Sequence, residues 1–345
     1  MDARVEPAHD ANESPVRLRQ ISSADRFGRP EGQAMAQTST ALRHSDHDVT
    51  DDTIASIAAV MARATFETTR LAAADAAALA AHVRPGTLVY VSALPTKPFA
   101  EQRGVVEAVR AAGYEPVPHL AVRSFASAAA LSDHLAAMVE RAGVTRVLVI
   151  AGDRSEPAGP FRAAIELIES GLLQGHGIHE IGVAGYPDGH PRVAPVTLDL
   201  ALAAKLTAAA ETGLSAHVVT QFTMTPEPIV AWLTRLRAQG IDHPVRIGFA
   251  GPASVTALLR YARICGVRAS AQAFARNVGL VRDMLGTATP DRAVRGVAGP
   301  GDRLGDVSPH FYAFGGLAAA VRWSAAVAAG RIALDRAGGF SVTPP

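Results

Sequence analysis

Arg146-Val147-Leu148-Val149-Ile150-Ala151 runs without a break into Gly152-Asp153. A short, continuous apolar run that ends in a glycine and an acid reads as a strand buried on both faces, the pattern of a parallel sheet covered by helices. Ala-rich amphipathic stretches flank it, at about 126–142 before and about 158–172 after. A strand between single helices implies right-handed βαβ crossovers.

The same unit repeats in both directions. Strand-length runs fall at 64–67, 87–92, 116–120, 146–151, 181–185, 216–221, 245–250 and 310–314. Helical patterns lie at about 70–82, 100–112, 126–142, 158–172, 198–213, 226–239, 254–265 and 316–330, with an extra one at about 268–286. Eight such units in roughly 280 residues match an α/β fold of one kind, a single closed (βα)8 TIM barrel. A doubly wound open sheet would carry a Gly-rich phosphate turn after its first strand, where this chain has Thr68-Thr69-Arg70. There is no P-loop, HExxH or GxSxG pattern to support a nucleotide kinase, a zinc protease or a nucleophile-elbow hydrolase.

The barrel is expected over 49–335, with a C-terminal tail at 336–345. Residues 1–48 are rich in Asp, Glu, Arg, Ser, Gln and Pro without periodicity, and read as a disordered extension. The cluster His44, Asp46, His47, Asp48, Asp51 and Asp52 reads as a solvated acidic leader with a helix cap; no scaffold holds it as a metal site.

Hydrophobic residues make up 48% of the 345 residues and charged ones 19%, enough for a large core. Lys and Arg (33) balance Asp and Glu (32), which gives no reason to expect nucleic acid or an anionic membrane as partner. The N-terminus lacks an apolar signal region, and no apolar run is long enough to span a bilayer. The single cysteine, Cys265, sits in an apolar helical pattern as a small or half-buried residue, and its solitude fits the cytoplasm. The oligomeric state is open; a homo-oligomer is compatible with the pattern.

In a TIM barrel the working face is the one reached by the C-terminal ends of the strands. Polar residues gather there: Glu67 ends strand one, His119 lies near the end of strand three, and strand four leads to Gly152-Asp153. Strand five leads to Tyr186-Pro187-Asp188-Gly189-His190-Pro191, strand six ends in Thr220-Gln221, and strand eight carries His310 and Tyr312. Any loop start can carry one polar residue, but six on one rim point to a site. A carboxyl at the floor of an apolar mouth is desolvated, and desolvation raises its pKa toward general-acid work. Gln221 offers an acceptor and two donors without charge, suited to the edge of a planar heterocycle. No Ser/Cys–His pair and no His–carboxylate trio with metal spacing stands out. The set favours holding a planar ligand and moving one proton, with no metal.

These residues resemble the methylenetetrahydrofolate reductase family. Gly182-Val183-Ala184-Gly185-Tyr186-Pro187-Asp188-Gly189-His190-Pro191 is similar to its G-V-A-G-Y-P-E-G-H-P motif, with Asp for Glu. Phe66-Glu67, His119-Leu120, Gly152-Asp153, Thr220-Gln221-Phe222 and His310-Phe311-Tyr312 match further family segments in order, over roughly residues 60–330. The resemblance implies an oxidoreductase that reduces 5,10-methylenetetrahydrofolate to 5-methyltetrahydrofolate with NAD(P)H through FAD. It also implies roles: Glu67 as general acid, Asp153 beside flavin and pterin, and Gln221 on the pterin edge, with His119, Gly152, Asp153, Tyr186 and His190 at the cofactor. NADH and NADPH are not distinguished.

The departures cluster where FAD would lie. Glu67 is followed by Thr68-Thr69-Arg70 rather than aromatics and prolines. The glycine-rich loop after strand two is replaced by Ser92-Ala93-Leu94-Pro95-Thr96-Lys97-Pro98. The arginine of the family's R-G-D is Ala151, and Lys205 is an uncertain counterpart of its basic residue before strand six, equally readable as solvated. Two alternatives follow: a flavin-independent folate reductase, and a paralogous one-carbon or methyl-carrier binding protein without reductase activity.

Overall fold

The computed structural model describes residues 37–265, 267 and 286–344. The chain divides into two units, residues 1–46 and 47–345. Residues 37–46, the described part of the first, are helical, and α1 (Gln37–Met61) continues into the second. The helical pattern at 268–285 lies outside the described residues.

The second unit holds a closed barrel of eight parallel strands in chain order: β1 (Thr65–Thr68), β2 (Leu88–Val91), β3 (Glu115–Ala121), β4 (Arg146–Ile150), β5 (Glu180–Gly185), β6 (Ser215–Thr220), β7 (Val245–Ala250) and β8 (Val307–Tyr312). The ring closes through Thr65↔His310, Phe66↔Phe311 and Glu67↔Tyr312. Around it lie α2 (Ala73–His82), α3 (Phe99–Ala111), α4 (Ala128–Ala142), α5 (Ala164–Glu169), α6 (Leu172–Gly175), α7 (Pro195–Glu211), α8 (Pro226–Ala238), α9 (Val255–Ile264), α10 (Asp291–Ala298) and α11 (Leu317–Ala328). The expected TIM barrel is therefore the fold.

Local chemistry sets the helix ends. Ser127 caps α4 by accepting from the Ala130 N–H at 3.0 Å, and Gly143 ends it at φ 57°, a conformation only glycine adopts without strain. Pro195 and Pro226 open α7 and α8, where a missing N–H loses nothing.

Three boundaries differ from the pattern. Strand eight starts at Val307, because Pro309 enters the closed sheet, and it stops before the Gly315-Gly316 turn. The stretch at 158–172 becomes a loop and two short helices, α5 and α6, separated by Gly171 at φ 75°. Within the segment read as a tail, Phe340–Val342 pairs antiparallel with Ile332–Leu334, and Phe340 stacks on Trp323 of α11.

Strand alternation sends side chains to two different cores. Phe66, Val89, Val147, Ile181, Val183, Ile247, Phe249 and Phe311 face outward into the helix layer, each at most 2% exposed. Burying one such side chain stabilises by roughly 1.5–3 kcal/mol. The lumen holds a separate, small apolar cluster of Tyr90, Val117, Leu148 and Val219. The remaining inward positions are largely polar or glycine, and they build the site.

Candidate active site

Glu67 is the penultimate residue of β1, its side chain 12% exposed. Three groups converge on its carboxylate from three other strands. The Ser92 hydroxyl, just past β2, donates to Oε1 at 2.5 Å. His310 Nε2, from β8, lies 3.3 Å from Oε2, and His119 Nε2, from β3, lies 3.5 Å from the same oxygen. His310 is fully buried and His119 is 7% exposed. His119 Nε2 makes no hydrogen bond.

Burial by itself raises the Glu67 carboxyl, as the sequence suggested. The His119 charge, the His310 hydrogen bond and charge, and the Ser92 hydroxyl outweigh it, so the net displacement is below the ordinary carboxylate value. The expectation of a raised carboxyl is thus corrected: the nearby His119 and the hydrogen bonds from His310 and Ser92 favour the ionised Glu67. Burial also pulls both histidines below the usual imidazole range, against the opposing charge of Glu67.

Beneath this cluster the lumen is polar. The Tyr90 hydroxyl lies 2.7 Å from His217 Nε2, and His217 Nδ1 lies 2.9 Å from Glu180 Oε1. Glu180 accepts from Arg146 Nε at 2.5 Å and is pulled to about 2, first by the His217 hydrogen bond and then by Arg146 against the burial that raises it. The Tyr90 ring meets His119, His217 and His310 edge-on. Gly182 makes room for this column: a Cβ there would fall 2.8 Å from Leu148 Cδ1 and 3.0 Å from His217 Nε2.

On the opposite rim, Gly152 takes φ 87° and leads into an exposed Asp153. The Asp153 charge acts on Tyr186, which burial chiefly raises, and on His190, whose ring meets Tyr186 edge-on at 5.4 Å. Cys265 is half-buried, as expected; burial first, then the charges of Asp153 and Glu67, push its thiol up to about 11. Gln221 Oε1 accepts from the Phe222 N–H at 3.1 Å, which fixes the amide at the end of β6. Phe222, Tyr312, Phe314 and Tyr261 form an aromatic wall beside it, with Tyr261 stacked on Phe314 at 4.2 Å.

The rim therefore gathers Glu67 and His119 at one place, and Asp153, Tyr186 and His190 at another, with Gln221 beside the aromatic wall. His119, expected at a cofactor, has its Nε2 3.5 Å from Glu67 Oε2. Lys205 is half-buried on α7, and burial pulls its amine to about 8. Thr65, Ser92, Gln102 and His217 were not singled out from the sequence. Gln102 of α3 joins the ends of β2 and β3, its Nε2 donating to Val91 O and His119 O at 3.0 Å. The signal for the lumen residues was the two-residue spacing Thr65/Glu67 and Ser308/His310/Tyr312. Among the described residues, no group of three His, Cys, Asp or Glu is placed to hold a metal ion, and no helix is long and apolar enough to cross a membrane.

A family model for methylenetetrahydrofolate reductase matches residues 101–283, more than half of the chain. Among solved structures, the chain is similar to a D-hydantoinase at 13% identity and TM-score 0.31, over 51% of this chain and 41% of that one. It thus spans less than half of that enzyme's length.

Proposed function

The chain belongs to the methylenetetrahydrofolate reductase family, and from that membership we propose that it reduces 5,10-methylenetetrahydrofolate to 5-methyltetrahydrofolate. One hydride from NAD(P)H and one proton convert the bridging methylene into a methyl group and leave NAD(P)+. The observation that carries this reading is the Glu67 carboxylate, set at the rim by Ser92 and His310.

Hydride transfer needs an electrophile. Opening the five-membered ring gives an N5 iminium once a proton reaches the departing nitrogen, and Glu67, ionised in the ligand-free site, would first take up that proton and then relay it. Gln221 has its oxygen committed to Phe222 N, which leaves its NH2 as the donor it would offer a ligand in the mouth. The wall of Phe222, Tyr312, Phe314 and Tyr261 keeps water from an iminium that water would otherwise attack.

The donor set on the other side of the rim fits the family's flavin. Gly152, Asp153, Tyr186 and His190 would hold FAD, presenting a backbone amide, a phenol and an imidazole to a polar heterocycle. When bound, FAD would take the hydride from the nicotinamide and pass it to the folate. One set of observations favours a second reading, direct transfer without flavin. Ala151 brings no guanidinium and His119 is turned inward. The nearby Arg123 is committed to the carbonyls of Arg162 and Arg154, at 2.6 and 3.2 Å.

The test is the visible spectrum of the purified protein together with an NAD(P)H–methylenetetrahydrofolate assay. Flavin absorbance near equimolar with folate turnover supports the first route. A colourless protein with turnover supports the second. Saturable folate binding without turnover overturns the reductase assignment.

A further inference from the structure

His310 is buried in full, and both ring nitrogens have partners on β1. Nδ1 lies 3.0 Å from Thr65 Oγ1, and Nε2 lies 3.3 Å from Glu67 Oε2. Thr65 Oγ1 also lies 3.2 Å from the carbonyl of Pro309. Thr65 and Glu67 are two residues apart on β1, so both point into the lumen, and strand pairing sets Thr65 directly beside His310.

A carboxylate only accepts hydrogen bonds, so an attractive contact at 3.3 Å requires a proton on Nε2. In the neutral ring Nδ1 is then an acceptor, and the Thr65 hydroxyl is its donor. If the ring takes up a second proton, Nδ1–H donates to Thr65 Oγ1, and the hydroxyl turns to the Pro309 carbonyl. Thr65 has an acceptor available in either state, so His310 can change charge without losing a partner.

We infer that His310 is a positioning residue for Glu67: oriented by Thr65, it fixes Oε2 and sets the pH at which the carboxyl yields its proton. This rests on the reading of Glu67 as the proton donor. The other charged or titratable groups that face His310 are Tyr90 from β2, His119 from β3, His217 from β6, Arg246 from β7 and Tyr312 from its own strand. None of them offers a hydrogen bond to Nε2. The His310 hydrogen bond and charge both act to lower the Glu67 carboxyl, so removing them lets it keep its proton to higher pH.

The experiment compares wild type with His310→Asn, His310→Gln and Thr65→Val. Asn keeps an amide near Thr65 but has nothing at the Nε2 position, whereas Gln reaches that position with an NH2 donor. Two titrations are read. One is the infrared carboxyl band of Glu67 in substrate-free protein, identified by its loss in Glu67→Gln. The other is the alkaline limb of the pH–kcat profile for folate reduction. In His310→Asn both should move upward by about one pH unit, the worth of a lost charge-assisted hydrogen bond. His310→Gln should restore the wild-type position, and Thr65→Val should move both limbs the same way by less. A carboxyl band that titrates unchanged in His310→Asn, in protein with wild-type circular dichroism, overturns the inference. A shifted band without folate turnover in wild type leaves the inference standing and overturns the proposed reaction.

Discussion

The Tyr90 hydroxyl lies 2.7 Å from His217 Nε2 in the barrel lumen, where Tyr90 is fully buried and His217 is 2% exposed. A hydroxyl in such a place exists for its partner, since an unpaired buried polar atom costs about 1–3 kcal/mol. Tyr90→Phe keeps the ring contacts to three histidines and strands His217 Nε2. It should lower the denaturant midpoint by an amount equivalent to about 1–3 kcal/mol without changing the m-value. An unchanged midpoint would mean that the pair contributes nothing net.

Gly182 tests the same column by volume. The ideal Cβ of an alanine there falls 2.8 Å from Leu148 Cδ1 and 3.0 Å from His217 Nε2, so one side chain must leave its place. Overpacking of this kind costs about 1–3 kcal/mol. Gly182→Ala should melt several degrees below wild type. Combined with Leu148→Ala, which vacates the clashing atom, its own penalty should shrink; a strictly additive double variant would rule out the clash.

Acid should destabilise this protein well before its carboxylates titrate. Burial, with Arg103 beside it, pulls His134 to about 4, and His119, His217 and His310 are displaced in the same direction. Unfolded, these imidazoles bind protons near pH 6.5, whereas the folded chain keeps them off. Their stabilisation is therefore complete above 6.5 and is lost as pH falls through the window down to about 4. His134 by itself accounts for a loss on the order of 2 kcal/mol at pH 5. Urea midpoints at pH 7.5 and 5.0 measure this, and equal midpoints would refute it. Glu180, held at about 2, extends the decline below pH 4.5.

The barrel was legible because most of its strands carry apolar side chains toward the helices, as Val147 and Val149 or Val183 do, and helix-to-strand spacing is a local signal. Glu67, Asp153, Tyr186, His190 and Gln221 were legible because loop starts after strands are local too. What surrounds Glu67 was not. Ser92, His119 and His310 lie 25, 52 and 243 residues from it along the chain, and only barrel closure brings β8 beside β1. The direction of the Glu67 displacement depends on those distant donors, and a sequence reveals the burial without the partners. His217 and Arg246 were passed over because a polar residue every second position within an apolar strand looks like noise until the strand's inner face is known.

Glu67→Gln is the decisive variant for the chemistry. The amide is close in shape to the carboxyl, its oxygen can still accept from Ser92, and its NH2 faces His310 Nε2, whose tautomer can reverse through Thr65 to accept it. The fold and ligand binding should survive, and melting temperature should stay close to wild type. What is lost is a transferable proton. A positioned acid contributes roughly 10²–10⁴-fold, so kcat for methylenetetrahydrofolate reduction should fall by that factor. NAD(P)H oxidation by an artificial acceptor such as menadione needs no proton from Glu67, and should persist in any preparation that carries flavin. Folate turnover within threefold of wild type would show that the proton comes from elsewhere on the rim, with Asp153 the next carboxylate to replace.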